Sequence, residues 1–564
     1  MTVSPLRSTS THPPPIRSCP SERTQRLLPA PDYFWTSGAD GVLRVARCGT
    51  CARLLHPSRE VCPGCGGTEI GVAPVSGDAT VIASTVNHQA WLPELDTPYV
   101  VAVVALAEDP RVRLTTNIVD VRPDEALIGR PVRVRFRQVA DIWVPVFAPS
   151  KPARHRPEPV VVPEPRTSAR RPPSASRFEH RTVISGVGRS RFGRRLEDSS
   201  GQLTEAACRE AIADAGLRPA DIDGLCGYPG AVAGHDDIGA VPIARRLGID
   251  ATWYRGAHEV PGQTGVVIAA MLAVAAGLCR HALCWTAVGT RLRPGLYADP
   301  VAGRVTGEAR WQAPFGAMSP ANWVALTASR YLDDYCADST TRQEALAWVA
   351  IASRRHAAAN PDALYRDPLD LASYRAGRPI STPFRMFDCD VPCDGALAVV
   401  VSAAEVAPDL PRPAVRVDAV GTQMTEVQSW DQGTLTHQPN VFGPARQLWS
   451  RASVSRTDVD LANLYDGFTF NVLCWLEALG FCGLGEAGDF VASGTRIGPR
   501  GELPVNPHGG QLACGRSNGF GQLHEAVLQL RGHAGERQVT GAQVAVVSSG
   551  GGIPANCMIL TANR

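Results

Sequence analysis

Tyr465-Asp466-Gly467-Phe468 opens the stretch of sequence that decides the fold of the second half of this chain. Further motifs follow it, and they are Asn506-Pro-His-Gly-Gly510, Cys514-Gly-Arg-Ser-Asn-Gly519, His524-Glu525 and Ser548-Ser-Gly-Gly-Gly552. Polar side chains that can exchange protons alternate here with glycines, and glycine lets backbone N–H groups approach a ligand closely. We therefore expect residues 465–552 to supply most of a ligand-binding or catalytic site.

The composition indicates a globular protein of several domains. A chain of 564 residues is long enough for about two to four domains. The net charge of +2 gives no general attraction to nucleic acid. The N-terminus lacks the apolar core of a secretory signal, and the apolar run from Thr264 to Leu278 is shorter than the roughly 20 residues that span a bilayer. With 16 cysteines and no such signal, we expect reduced thiols, no membrane span and a cytoplasmic location.

Two cysteine pairs near the N-terminus predict a zinc site. Cys48-Gly-Thr-Cys51 and Cys62-Pro-Gly-Cys65 can place four thiolates tetrahedrally around one zinc ion. A redox dithiol or a coincidence of two pairs is the alternative. A closed site of four cysteines is structural rather than catalytic, and it contributes on the order of 10 kcal/mol to folding.

The remaining N-terminal sequence predicts a small domain and a linker. We expect a disordered tail over residues 1–24, a helix and the zinc ribbon over 25–74, and a Pro/Arg-rich linker over 149–178. Residues 75–148 contain short alternating runs that predict a small β-barrel, and these runs are 79–86, 99–106, 112–117 and 132–136. Basic and aromatic residues do not alternate along these strands beyond 133–137, so we expect no nucleic-acid partner.

The ribbon and barrel together are similar to a known family. The motifs CGTC, CPGC, VSGDATVIASTV, PYVVAVVAL and IGRPVRVRF resemble the zinc-ribbon and OB-fold family found beside acyl-CoA thiolase-like enzymes. The resemblance covers about residues 33–148. It implies an OB-fold barrel and structural zinc.

Residues 179–564 alternate strand and helix patterns, which is typical of α/β layers. The motifs VISGVGRSRFGRRL, LTEAACREAIADAGL, FDCDVPCDGALAVVVS and YDGFTFNVLCWLEALGFC resemble the thiolase superfamily, in the branch allied to sterol carrier protein-X and the lipid-transfer-protein aldolases. The resemblance implies two βαβαβαββ halves in layers α-β-α-β-α. It also implies a homodimer and an acyl-thioester substrate on coenzyme A or on a carrier protein.

The same resemblance shows which thiolase groups are missing. The nucleophilic cysteine expected before the helix Gly265–Gly277 corresponds to Val260, and the histidine of the Gly-His-Pro motif corresponds to Arg516. The second catalytic cysteine corresponds to Ser548, which leaves Cys514 as the sulfur near the glycine motifs. Valine cannot form an acyl-enzyme. We therefore expect aldol or retro-aldol chemistry on a β-hydroxyacyl-CoA, which requires acid–base groups and no covalent nucleophile.

Five residues are candidates for catalysis: Tyr465, Asp466, His508, Arg516 and His524. In the aldolase branch a tyrosine at the position of Tyr465 is implicated in catalysis, and a basic role would need a pKa lowered by Arg516 or a histidine. Asp466 either orients Tyr465 or caps the next helix. His508 lies in a glycine-flanked loop, whereas His524 lies on a helix where packing explains it equally well. An arginine does not exchange a proton readily, and a tyrosine is expected in aldolases where Arg516 stands.

Other residues are candidates for substrate binding or support. The substrate-binding set comprises His258, Gly510, Cys514, Gly550, Gly551 and Gly552. The turn from Asp388 to Gly395 is a candidate for supporting the site. Two other functions remain open, which are a cysteine-independent acyltransferase and a non-catalytic carrier of lipids or acyl-CoA. The first predicts two substrates without a carbonyl product, and the second predicts binding without turnover.

Overall fold

The computed structural model describes residues 28–91, 95–151, 177–229, 237–256, 260–289, 298–299, 303–335, 339–425, 429–551 and 554–562. The described residues form two compact units. Unit 1 holds those within 1–81, 88–157 and 297–318, and unit 2 holds the rest. The predicted N-terminal tail and most of the predicted linker lie outside the described residues.

The strands are numbered in chain order as β1 (Arg44–Cys48), β2 (Leu54–Leu55), β3 (Ile70–Pro74), β4 (Asp78–Asn87), β5 (Tyr99–Leu106), β6 (Arg113–Ile118), β7 (Pro131–Val139), β8 (Ile142–Pro149), β9 (Thr182–Arg189), β10 (Gly224–Tyr228), β11 (Trp253–Gly256), β12 (His281–Val288), β13 (Ala298–Asp299), β14 (Arg304–Val305), β15 (Pro379–Ser381), β16 (Phe384–Arg385), β17 (Gly395–Ala403), β18 (Val415–Gly421), β19 (Leu461–Asn463), β20 (Val544–Ser549) and β21 (Asn556–Ala562). The α-helices are α1 (Tyr33–Thr36), α2 (Ser200–Asp214), α3 (Ala240–Leu247), α4 (Gly265–Ala275), α5 (Pro320–Tyr335), α6 (Ser339–Ala357), α7 (Leu371–Ala376), α8 (Gln438–Arg451), α9 (Thr469–Ala478), α10 (Ala487–Phe490), α11 (Gly510–Cys514) and α12 (Phe520–Arg531).

Unit 1 contains a zinc-ribbon sheet and a closed barrel. The ribbon is an antiparallel sheet in the order β2-β1-β3. The barrel runs β4-β5-β6-β8-β7, and the pairing of Asp78 with Arg133 closes it. The predicted barrel is therefore confirmed, and its strand β8 was missed because Pro145 and Pro149 interrupt the sequence pattern. The last six residues of β4 belong to unit 2, where Asn87 pairs with Ser381 of β15.

Unit 2 is built on a nine-stranded sheet that repeats one pattern twice. The strand order is β11-β10-β12-β17-β9-β18-β21-β20-β19. In the first half, β17 pairs antiparallel with both β9 and β12, and β12 pairs parallel with β10. In the second half, β21 pairs antiparallel with both β18 and β20, and β20 pairs parallel with β19. The two halves have the same topology, as predicted.

Helices cover and separate the two halves of this sheet. The outer face of the first half packs against α2 and α3. Helices α4 and α12 lie in a central layer between strands of both halves. The outer face of the second half packs against α6, α8 and α9. Strand β17 shows the arrangement directly, because Ala398 faces the outer helices and Val399 faces the central layer. The expected α-β-α-β-α fold is confirmed.

Two helices can be compared directly with the sequence pattern. The apolar spacing of Leu203, Ala206, Ala207 and Ala211 predicts one buried face for α2. Leu203, Ala207 and Ala211 are buried, but Ala206 is exposed, so its assignment to that face was wrong. Gly216 ends the helix in the left-handed region, with φ of 70°. The apolar run beginning at Thr264 forms α4, which is buried in the central layer. Among the described helices, none combines the length and the hydropathy needed to cross a bilayer.

Close packing of α2 on β9 depends on glycine. A Cβ atom at Gly188 would lie 2.3 Å from the carbonyl oxygen of Ala207 and from the amide nitrogen of Ala211. We expect Gly188→Ala to lower the free energy of unfolding by about 1–3 kcal/mol, because helix and sheet must separate. Chemical denaturation measures this, with Gly488→Ala as the control, since a Cβ there meets only the Cβ of Ala345 at 3.6 Å. Equal stabilities of the two variants would contradict the packing argument.

Candidate active site

The four predicted zinc ligands come together in unit 1. The thiol sulfurs of Cys48, Cys51, Cys62 and Cys65 all lie within 4.8 Å of one another. Two Sγ–Sγ separations are 3.6 Å, close to the roughly 3.8 Å between sulfurs that surround a tetrahedral zinc at about 2.3 Å. The backbone N–H of Gly64 donates to the Cys62 sulfur at 3.4 Å, a contact that favours the thiolate that zinc requires. The residues fit structural zinc with no open coordination position.

Tyr465 lies at the carboxyl edge of the parallel strands β19 and β20. Its backbone N–H donates to Oγ of Ser548 at 2.9 Å, so the end of β20 fixes the position of the residue. Its ring lies against Gly467, where a Cβ would be 2.9 Å from the phenol oxygen. Among the described residues, the hydroxyl has no hydrogen-bond partner. The carboxyl edge of parallel strands is the usual place for a ligand in an α/β sheet.

The surroundings of Tyr465 keep its phenol protonated. Burial raises the pKa of Tyr465, the carboxylate of Asp390 raises it further, and Arg516 opposes both. The sequence interpretation required a lowered pKa for a basic role, and the structure does not provide it. Tyr465 is therefore a neutral phenol that can donate a hydrogen bond or a proton.

Arg516 forms a two-bond ion pair with Asp390. Its Nε lies 2.6 Å from Oδ2 and its Nη2 lies 2.8 Å from Oδ1. The backbone also joins these segments, because the N–H of Arg516 donates to the carbonyl of Val391 at 2.8 Å and the N–H of Asp390 donates to the carbonyl of Gly467 at 3.0 Å. The turn from Asp388 to Gly395 thus holds Arg516 and the Tyr465 loop together.

Asp466 is fully buried and connects three elements. Its Oδ1 accepts from the backbone N–H of Gln511 at 2.9 Å and from Nε2 of Gln522 at 2.7 Å. A Cβ at Gly510 would lie 1.8 Å from Oδ2, so only glycine fits there. Burial raises the pKa of Asp466 to about 7. Its carboxylate bonds the start of α11 and Gln522 of α12, so the hypothesis that it caps α9 was wrong, whereas an orienting role towards Tyr465 stays a prediction.

His508 and Cys514 form a second group of buried side chains beside α11. The Cys514 thiol donates to the backbone carbonyl of His508 at 2.7 Å, and burial raises its pKa to about 12. Burial lowers the pKa of His508 well below its usual value, and its Nδ1 has no partner among the described residues. His508 is therefore a neutral imidazole, and Cys514 is a thiol rather than a reactive thiolate.

His524 on α12 belongs electrostatically to this second group. Burial and the nearby guanidinium of Arg189 lower the pKa of His524 to about 3. The same guanidinium acts on the pKa values of His508 and Cys514. The structure thus places the predicted residues in two groups, Tyr465 with Arg516 and His508 with His524, and α11 connects them through Asp466.

The C-terminal glycines are anchored through their carbonyls. The carbonyl of Gly550 accepts from the Trp475 indole at 2.8 Å, and that of Gly551 accepts from Nδ2 of Asn471 at 2.7 Å. His258 and Gly552 lie outside the described residues. Val260, which replaces the thiolase nucleophile, is buried in the apolar layer around α4.

The sequence reasoning missed several contributors to the site. Tyr228 lies at the end of β10, the strand equivalent to β19, and it is close enough to raise the pKa of Tyr465. Its position at the carboxyl end of a strand was the available signal. Gln511 and Gln522 gave no local signal, because they bond Asp466 across 45 and 56 residues of sequence. Asp390 lies in the turn proposed to support the site, but its pairing with Arg516 across 126 residues was not predicted.

Comparisons with known proteins agree with this architecture. Family models match residues 35–71 (ChsH2, rubredoxin-like zinc ribbon domain), 72–137 (ChsH2, C-terminal OB-fold domain) and 421–562 (Thiolase C-terminal domain-like). The chain is 35% identical to the steroid side-chain-cleaving aldolase of Thermomonospora curvata over 68% of this chain and 98% of the relative. It is 34% identical to the 17-hydroxy-3-oxo-4-pregnene-20-carboxyl-CoA lyase of Mycobacterium tuberculosis over 67% and 98%.

A solved structure is similar in fold as well as in sequence. It is an Ltp2-ChsH2(DUF35) aldolase, with a TM-score of 0.60 and 32% identity over 68% of this chain and 98% of that one. The fold and the site together define a thiolase-superfamily protein without the nucleophilic cysteine. The chain belongs to the family of thiolase-like aldolases that includes these relatives. The family resemblance, the fold class and the expected carbon–carbon lyase class are thereby confirmed.

Loss of one buried zinc ligand should empty the metal site. We expect Cys62→Ser to reduce bound zinc from one per chain to a small fraction and to open the ribbon to proteolysis, because structural zinc contributes on the order of 10 kcal/mol to folding. Elemental analysis and limited proteolysis measure this. Cys482→Ser, a thiol of unit 2, is the control. Stoichiometric zinc in Cys62→Ser would contradict the four-cysteine site.

Asp466 should make stability depend on pH. The pKa of Asp466 is about 7 in the folded protein, which is above its value in the unfolded chain. The contribution of this group to the free energy of unfolding is therefore fully present below about pH 4 and is lost as pH rises through 7. Asp466→Asn resembles the protonated acid. As pH rises between these limits, we expect the free energy of unfolding of the variant to increase relative to that of the wild type by roughly 1.4 kcal/mol per pH unit. Urea denaturation at several pH values tests this, and a stability difference between variant and wild type that does not change with pH would contradict it.

Proposed function

We propose that this protein catalyses retro-aldol cleavage of a β-hydroxyacyl-CoA, or the reverse condensation. The observation that carries the proposal is a neutral phenol, Tyr465, held beside the guanidinium of Arg516 at the carboxyl edge of the sheet. Cys514, the thiol nearest the glycine motifs, has a pKa raised to about 12, which does not suit an acyl-enzyme route. The lyase and aldolase relatives support the same reaction class.

The reaction requires one proton acceptor and one proton donor. The acceptor removes the β-hydroxyl proton, the Cα–Cβ bond breaks to give an aldehyde or ketone, and its electron pair forms the thioester enolate. The donor then protonates the enolate at Cα. Acid–base groups of this kind contribute about 10²- to 10⁴-fold each, and each donor to the enolate oxygen contributes about 3 kcal/mol.

The described side chains can fill these roles. Tyr465 is the proton donor, since its phenol is neutral and has no partner among the described residues. Arg516 donates N–H groups to the developing oxyanion. His508 is proposed as the acceptor, because its Nδ1 has no partner among the described residues, and the glycine motif around Gly510 keeps the backbone close to the ligand.

The substrate is proposed to be a bulky acyl-CoA with a hydroxyl on the β-carbon. The Mycobacterium relative acts on a steroid acyl-CoA with a 17-hydroxyl and a carboxyl-CoA on carbon 20, and a hydroxyl so placed is β to the thioester carbonyl. The same placement in this chain's substrate allows cleavage between the two carbons.

We also propose that the protein is a cytoplasmic homodimer formed through unit 2. Strand β11 is an edge strand of the nine-stranded sheet, and Tyr254 on it is 64% exposed. Val241 on the neighbouring α3 is exposed as well. An open strand edge with apolar side chains is a surface that a second copy can cover.

A time course by mass spectrometry with branched and steroid-derived β-hydroxyacyl-CoAs tests the function. We expect a shortened acyl-CoA together with an equimolar aldehyde or ketone. Tyr465→Phe should slow the reaction about 10²- to 10⁴-fold, because the proton donor is lost. Tyr335→Phe is the control, since that hydroxyl is bonded to Gln438 at 3.3 Å and takes no part in the proposed reaction.

Other outcomes would favour the alternatives. A stable acyl adduct on the protein would contradict the proposal and favour an acyl-enzyme route. Transfer of the acyl group to an acceptor without a carbonyl product would identify an acyltransferase. Tight binding of every substrate with no turnover would identify a carrier.

A further inference from the structure

We infer that Asp390 is a positioning residue that fixes the guanidinium of Arg516 beside the hydroxyl of Tyr465, so that the guanidinium donates to one oxygen of the substrate while the phenol delivers its proton to Cα. That oxygen is the thioester carbonyl oxygen, which becomes the enolate oxygen during cleavage. The inference rests on the proposed retro-aldol function and assigns a recognition element to that site.

The ion pair with Asp390 fixes the orientation of the Arg516 guanidinium. Arginine carries five N–H donors in a planar fork, and the bonds to Asp390 use Nε and one N–H of Nη2. Both hydrogens of Nη1 are uncommitted among the described residues. A two-bond contact of this kind fixes the plane of the fork, so the free edge has a defined direction.

Asp390 and Arg516 differ in their exposure to solvent. The side chain of Asp390 is 11% exposed, whereas that of Arg516 is 47% exposed. Asp390 is therefore the more buried partner of the pair, and part of the Arg516 side chain is accessible. An ion pair adds little to the stability of the protein when about half of one side chain, here that of Arg516, is accessible to solvent. Stability alone therefore does not explain this pair.

Backbone contacts tie this pair to the loop that carries Tyr465. The N–H of Asp390 donates to the carbonyl of Gly467, two residues after Tyr465. On the other side, the thiol of Cys393 donates to the carbonyl of Arg516 at 3.3 Å. One short turn thus sets the distance between the phenol and the guanidinium.

The charge on Asp390 also protects the donor function of the phenol. Burial raises the pKa of Tyr465, and the charged or titratable groups that act on it include Asp390, Arg516, Tyr228 and Asp466. Arg516 lowers the pKa of Tyr465 and Asp390 raises it. Loss of the carboxylate would therefore lower the pKa of the phenol, and a phenolate has no proton to donate to the enolate.

Two variants of Asp390 test this assignment. We expect Asp390→Asn to lower kcat by about 10- to 100-fold with KM changed less than about threefold, because orientation of a donor acts on the transition state. Its rate should also begin to fall at a lower pH than that of the wild type, since loss of the carboxylate lowers the phenol pKa. Asp390→Glu should restore part of kcat and the wild-type pH profile.

Controls separate this inference from the proposed function. Asp334→Asn removes another arginine-paired carboxylate, 2.7 Å from Arg330 on α5, and should leave kcat and the pH profile unchanged. If Asp390→Asn does not fold, Arg516→Lys replaces it, because lysine cannot make the two-bond contact and should lose kcat to a similar extent. The inference would be overturned if Asp390→Asn kept the wild-type kcat and pH profile, or if Arg516→Lys kept the wild-type kcat. In either case, cleavage by the wild type would still uphold the proposed function. No cleavage by the wild type would overturn both.

Discussion

The buried carboxylate of Asp466 is the contact on which the whole site depends. It directly follows Tyr465, receives the first N–H groups of α11 and accepts from Gln522 of α12. The end of α11 leads to Arg516, and its start carries the loop of His508. A single side chain therefore sets the relative positions of the phenol, the imidazole and the guanidinium. Glycine at 510 is required because no other residue leaves room for the carboxylate.

The duplicated topology explains why the chemistry gathers at one edge. Each half ends its parallel strands beside a tyrosine, with Tyr228 after β10 and Tyr465 after β19, and the central helices α4 and α12 hold the halves together. A thiolase places a thiolate in such a site. Here Val260 packs in the apolar layer and the buried thiols are protonated, so the remaining polar groups serve proton transfer and stabilisation of an oxyanion. Carbon–carbon cleavage without a covalent intermediate needs only these.

Local patterns could be predicted from the sequence, whereas long-range electrostatics could not. The two Cys-x-x-Cys pairs are a local signal, and the structure gathers their four sulfurs. The fold of unit 2 was also predicted, because family motifs span it. Strand β8 was missed because prolines interrupt it. A basic role for Tyr465 required a pKa lowered by Arg516 or a histidine, yet Asp390 is paired with that arginine and burial raises the pKa. The turn that holds Asp390 was predicted to support the site, but its pairing with Arg516 spans 126 residues and could not be read from the local sequence. The contacts of Asp466 with Gln511 and Gln522 were missed for the same reason.

The central claim is that cleavage passes through an enolate that an acid of the protein protonates. The most direct measurement is turnover of a β-hydroxyacyl-CoA in D₂O, with the masses of the products and of the intact protein followed together. The account predicts one deuterium at Cα of the shortened acyl-CoA, an equal amount of aldehyde or ketone, and an unmodified protein mass throughout. An acyl adduct on the protein, or an acyl product formed without its carbonyl partner, would contradict it.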